Sequence, residues 1–166
     1  VSLDRACYLA GKFLHLFAQI EGELDIAIGK LFELEKDNSL ILTASIDFFK
    51  KCNIVKTALN AQDDGSKEKA IREAFSDVAR VNDLRQIVAH SMFEGHAPDG
   101  VEFRRNTAKG ALKKEIVAWS EKDCDAHFIK MEQVRRDLHF LVQKIAPYKP
   151  SLDFSDPRNS MYLGMF

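Results

Sequence analysis

Between residues 3 and about 35, apolar side chains recur at alternating steps of four and three. Leu3, Cys7, Ala10, Leu14, Phe17, Leu24, Ile28 and Leu31 trace one stripe, interrupted once, by Glu21. That period predicts a long amphipathic helix. Gly11, Gly22 and Gly29 each weaken it by up to about 1 kcal/mol and mark candidate points of close backbone approach. Lys36-Asp37-Asn38-Ser39 reads as a turn and N-cap cluster. It precedes a second helix, about residues 40 to 61, with the stripe Ile41, Ala44, Phe48, Cys52, Val55 and Leu59. Residues 62–66 break the pattern, and Ser66 is placed to cap a third helix running through about residue 93.

Residues 95–100, with Gly95, Pro98 and Gly100, open a different texture. Val101-Glu102-Phe103-Arg104 and Glu115-Ile116-Val117-Ala118-Trp119 are short, β-rich and partly alternating, which predicts a small hairpin. Ser120 is a natural cap for a fourth helix over about residues 121 to 145, stopped by Pro147 and Pro150. Residues 151–166 have no period, yet Leu152, Phe154, Met161, Tyr162, Leu163, Met165 and Phe166 suit a segment lying on the helices or on a second subunit. The expectation is therefore a mainly α domain over residues 1–150: an antiparallel four-helix bundle with a small β-hairpin, about residues 100–119, inserted before the last long helix. Residues 151–166 form a C-terminal extension.

Composition narrows the function classes. The 166 residues are 46% hydrophobic, enough for a sizeable core, and 24 Lys+Arg against 25 Asp+Glu leave a net charge of −1. No global basic field announces nucleic acid or an anionic membrane. No apolar run approaches the roughly 18 residues of a membrane span. Cys7, Cys52 and Cys124 are odd in number and widely spaced, as expected of reduced thiols in a cytoplasmic protein. No signal peptide is visible, and an opening at Val1 is compatible with a removed leader.

The informative chemistry lies on the third helix. At about 100° per residue, Ile71, Ala74, Val78, Val81, Val88, Ala89 and Met92 all fall within about 60° of Arg85, so a guanidinium occupies the centre of the core-facing stripe. Such a group is costly to bury alone and requires a partner. Glu21 interrupts the first helix in the same way, which predicts an Arg85–Glu21 pair or a water or substrate shared between them. His90 lies about 140° further round, with Gln86 and Asp83 on its side. One helix does not easily aim Arg85 and His90 at one atom. A twofold pair of such helices does so by supplying two of each.

Leu84-Arg85-Gln86-Ile87-Val88-Ala89-His90, late in a bundle helix, resembles the HEPN superfamily with its Arg-x(4–6)-His motif. The phrase Ile20-Glu21-Gly22-Glu23-Leu24 and the hairpin before the final helix are similar to some members, and the likeness covers roughly residues 3 to 146. The resemblance implies a metal-independent endoribonuclease working as a homodimer, of toxin or anti-invader type. In it the ribose 2′-hydroxyl attacks the adjacent phosphorus, leaving a 2′,3′-cyclic phosphate and a free 5′-hydroxyl. The residue types suit that chemistry: imidazole exchanges protons at neutral pH, and guanidinium grips a phosphorane's charge in a bidentate fork. His90 would handle protons, Arg85 would hold the phosphate, and Gln86 would orient one of them, with Glu21 and Asp83 in support. Gln86 stands where many active members carry Asn, Asp or His. Met92 stands where the branch regulated by a nucleotidyltransferase antitoxin carries Tyr, so that mode of control is not expected.

Plainer readings stand beside these. Arg85 and Glu21 suit a structural ion pair, and His90 suits a cation at a helix C-terminus. Arg104, Arg105, Lys109, Lys113 and Lys114, with no acid from Arg104 to Lys114, fit either an RNA-tracking hairpin or a solvated loop. Phe103 and Trp119 suit hairpin packing better than base stacking. Asp123, Cys124 and His127 are too loosely placed for a metal site, and neither metal nor cofactor is expected. The alternative function is a non-catalytic HEPN-like module that binds RNA, a nucleotide or a protein partner, such as an antitoxin, with no membrane role.

Overall fold

In the computed structural model, which describes residues 1–97, 99–108 and 112–148, α1 (Leu3–Leu31) is the element on which the others assemble. Its buried face is Ala6, Leu9, Phe13, Leu16, Phe17, Ile20, Leu24, Ala27, Ile28 and Leu31. Only the second half of the expected stripe is therefore inside. In the first half the face is rotated, and Leu3, Cys7 and Leu14 are exposed while Ala6, Leu9 and Phe13 take the interior. Both stripes obey the same period, and Phe13 is the larger side chain to hide.

The expected second helix is two. α2 (Lys36–Ala44) begins four residues early, with the 36–39 cluster inside it, and buries only Thr43. Ser45 closes it. Asp47 then starts α3 (Phe48–Gln62), its side chain accepting from the Lys50 backbone N–H at 2.9 Å. An N-cap acid in mid-pattern is a restart signal that the apolar period conceals. Gly29 is where α2 meets α1: a Cβ there would stand 2.7 Å from Ser39 Oγ. Gly11 and Gly22 face no close neighbour.

α4 (Glu68–His90) starts two residues after Ser66, whose hydroxyl donates to Asp63 at 3.4 Å instead of capping the helix. It also ends before residue 93. Met92–Ala97 form β1, paired antiparallel with β2 (Gly100–Ala108), which pairs in turn with β3 (Leu112–Ser120). The hairpin is thus two strands of a three-stranded sheet in the order β1-β2-β3. Strand pairing to β2 outweighs the helical pattern, since Phe93 gains a place beside Phe103, ring centroids 5.9 Å apart. The inner face carries Val101 opposite Trp119 and Phe103 opposite Val117. With Phe13 and His127 these rings make an aromatic cluster, Trp119 lying 5.7 Å from Phe13 and 4.7 Å from His127. Hairpin packing is what Phe103 and Trp119 do.

α5 (Glu121–Gln143) follows without a linker, and Ser120 and Asp123 close a full capping box. Its stripe of Cys124, Phe128, Met131, Val134, Leu138, Leu141 and Val142 lies along α1. The molecule is mainly helical with a small antiparallel sheet. Among the described residues no helix is long and apolar enough to cross a membrane. Residues 151–166, expected to pack on the helices or on a second subunit, lie outside the described residues.

Two substitutions probe this frame by chemical denaturation. A Cβ at Gly100 would stand 1.8 Å from the Trp119 carbonyl oxygen across the ladder, so Gly100→Ala should cost about 1–3 kcal/mol of stability. Ser120→Ala should cost about 1 kcal/mol by opening the capping box.

Candidate active site

The polar centre forms where α1, α3 and α4 meet. On α4, Ile71, Phe75, Val78, Val81 and Val88 are buried, and Arg85 continues their line at a point where the interior opens to solvent. Its guanidinium is half-buried and lies over the Phe17 ring, 5.6 Å from the centroid. Ala89 and Met92, expected on the core side, are exposed.

Glu21 is not its partner. Lys51 of α3, with only 5% of its side chain exposed, reaches Glu21 Oε1 at 2.8 Å and Asp25 Oδ1 at 2.8 Å. The first contact is a hydrogen bond. The second has ion-pair distance, but its angle falls short of one. Burial pulls the Lys51 ammonium down, and the Asp25 and Glu21 carboxylates beside it more than restore it, above its ordinary 10.5. The signal for this pair was present in the sequence. Lys51 falls between Phe48 and Val55 on the stripe of α3, a third seam broken by a charge.

Arg85 turns instead to its own helix. Its Nη1 donates to His90 Nε2 at 3.0 Å, which requires the unprotonated nitrogen there as acceptor. The 140° between the two residues does not separate them. Five residues advance only about 7.5 Å, which an extended arginine covers. His90 is exposed and ends the helix, since Ser91 is already extended. A second subunit is not needed to bring the two together.

Beside Arg85 a cleft of about 350 Å³ is lined by Phe17, Glu21, Phe49, Asn82 and Gln86, among others. Gln86 is therefore on the site. Asp83 is exposed and, about 160° round α4 from Arg85, lies away from it. The α3 contribution, Phe48 and Phe49, was not legible, because it depends on the helix restart at Asp47. Asn82 was within reach of sequence reasoning, three residues before Arg85 and four before Gln86 on one helical face.

The basic residues of the sheet do not converge. Arg104 and Lys114 are exposed and Arg105 half-buried. Opposite them in register stand Ile116, Asn106 and Glu115 respectively, so the cations are spread over both faces. Lys113 pairs in register with Thr107, and Lys109 lies outside the described residues. Asp123 and Cys124 are taken by the capping box and the core. His127 packs its ring on Trp119, and burial pushes it below its ordinary value. A second ionic knot, absent from the expectations, holds α5 to α1. Buried Glu23 accepts from His139 Nδ1 at 2.9 Å and lies 3.8 Å from Arg135 Nη1.

Comparison with family models, with curated proteins and with solved structures yields no match.

Replacing Lys51 by Met leaves Glu21 and Asp25 facing each other and should cost about 2 kcal/mol. Because its folded-state value is raised, that contribution is complete below pH 10.5 and is lost as pH rises through the higher folded value. Denaturation of both proteins across the alkaline range checks the sign. Burial, reinforced by Glu21, pushes the Cys52 thiol up to about 12, and burial raises Cys124 to about 11. Iodoacetamide at neutral pH should therefore label exposed Cys7 and spare both others in the native protein, as peptide mapping would reveal.

Proposed function

We propose that this chain is a HEPN-like, metal-independent endoribonuclease, acting as a homodimer in the cytoplasm in a toxin or defence setting. The observation that carries this reading is the 3.0 Å contact of His90 with Arg85, which itself lines an open cleft. An imidazole with an unprotonated Nε2 and a guanidinium supply a proton acceptor and a grip on the phosphorane's charge, two of the roles that in-line cleavage of RNA by its own 2′-hydroxyl uses. On this reading α1, α3, α4 and α5 are the four helices of the bundle, with α2 and the sheet as additions.

In the proposed reaction the entering phosphate draws the Arg85 fork away from Nε2 and onto its non-bridging oxygens. That frees the Nε2 lone pair of His90, which takes the 2′-hydroxyl proton as the oxygen bonds to phosphorus. The 5′-oxygen leaves and receives a proton from the second subunit's imidazole. The products are a 2′,3′-cyclic phosphate and a 5′-hydroxyl. Gln86, one residue beyond Arg85, stands on the wall of the cleft beside that phosphate. Arg104 and Lys114, exposed on one face of the sheet, meet the RNA backbone outside the site.

A second reading, a non-catalytic module of the same architecture that holds a protein partner, is favoured by α2. Its Leu40 and Ile41 are 57% and 70% exposed, and Phe49 nearby is 70% exposed. Cleavage of single-stranded RNA in EDTA, with cyclic-phosphate ends, decides between them. Arg85→Ala and His90→Ala should each lower the rate by at least about 100-fold while leaving the melting temperature within a few degrees. Undiminished cleavage by His90→Ala would remove the catalytic assignment, and no cleavage by the parent protein would favour the binding module.

A further inference from the structure

We infer that the cleft beside Arg85 is a base-reading subsite selective for guanine, an inference that rests on the ribonuclease reading and names the nucleotide whose 2′-hydroxyl attacks. The cleft volume of about 350 Å³ falls at the small end of ligand pockets, roughly 300–1,000 Å³, and so suits one nucleoside better than a peptide or a helix. Its walls are chemically divided. α1 contributes Phe17 and, one turn on, Glu21. α4 contributes Asn82, Arg85 and Gln86 on one face, and α3 brings Phe49 to the lip.

Each wall offers something unused. The side-chain amides of Asn82 and Gln86, both half-buried, make no hydrogen bond among the described residues. Glu21 spends Oε1 on Lys51, and its Oε2 accepts none among the described residues. Phe49 is 70% exposed although it borders a cleft, a placement that suits a ring awaiting a stacking partner.

A carboxylate facing amide donors across a slot selects among the bases. Guanine alone presents two adjacent donors on its Watson–Crick edge, N1–H and the N2 amino group, while O6 and N7 accept on the other side. Glu21 takes the two donors, one on its free Oε2 and one on the second lone pair of Oε1 beside Lys51, and the Asn82 and Gln86 amides donate to O6 and N7. Adenine and cytosine would turn a ring-nitrogen lone pair toward the carboxylate, and uracil would turn carbonyl oxygens toward it, each a repulsion that guanine avoids. Arg85 then separates the base site from His90. Base, phosphate and imidazole are thereby ordered along α4 as the proposed chemistry needs.

The test is calorimetric titration of the whole protein with each of the four nucleoside 3′-monophosphates and with inorganic phosphate, beside cleavage of a mixed-sequence RNA in EDTA. Guanosine 3′-monophosphate should bind at least roughly tenfold tighter than the other three. Asn82→Ala should remove most of that preference and leave binding of inorganic phosphate unchanged. Glu21→Gln should do the same, and Asn82→Ala carries the test if loss of the Lys51 pair unfolds the former. Equal affinities, or no binding of any of the four, overturn the inference. Cleavage after all four bases alike would leave the ribonuclease reading standing and the guanine subsite refuted. Guanosine selectivity without cleavage would do the reverse.

Discussion

One buried ammonium decides how the polar centre of this protein is arranged. Lys51 enters the interior from α3 and lies 2.8 Å from carboxylate oxygens of both Glu21 and Asp25 on α1. The desolvation of a nearly covered ammonium would oppose folding if it stood alone, and the two carboxylates, each about one-third exposed, offset it. They hold α3 against the middle of α1, the helix on which the rest of the molecule packs. Because Glu21 is occupied in this way, Arg85 is not drawn into a buried pair.

What Arg85 does instead follows from that exclusion. Its guanidinium covers the Phe17 ring and finds an acceptor in His90, at the rim of a cleft and not inside the core. A charged group that is half-buried, oriented by a ring and joined to an imidazole is better placed to exchange its partner for an incoming anion than one locked between carboxylates. The structural pair and the candidate catalytic pair are thus distinct, which is why substitutions at Lys51 and at Arg85 carry different expected outcomes.

Much of this was legible beforehand. The helical periods of α1, α4 and α5, the cap at Ser120, the two strands around residues 101–119 and the singular position of Arg85 are local properties, readable from spacing and residue chemistry. The restart at Asp47 was hidden because α2 and α3 share one apolar period across the break. β1 was hidden because Met92 and Phe93 extend a helical stripe, and only the presence of β2 alongside makes a strand the better use of them. The partner of Glu21 was missed for a different reason. Glu21, Lys51 and Arg85 each break an apolar seam, and the choice between Arg85 and Lys51 as the partner of Glu21 depends on where the helices stand relative to each other.

The chain by itself therefore determined most of the helical course of α1, α4 and α5, the cap at Ser120, and that Glu21 on α1 and Arg85 on α4 would need partners, because these follow from propensity, periodicity and the cost of burying charge. Tertiary structure alone decided the pairing of those charges, the rotation of α1 that buries Ala6, Leu9 and Phe13 in place of Cys7 and Leu14, and the third strand. It also brought Phe49, Asn82 and Gln86 around one cleft. Those outcomes turn on distances between segments far apart in the chain, which no local pattern encodes.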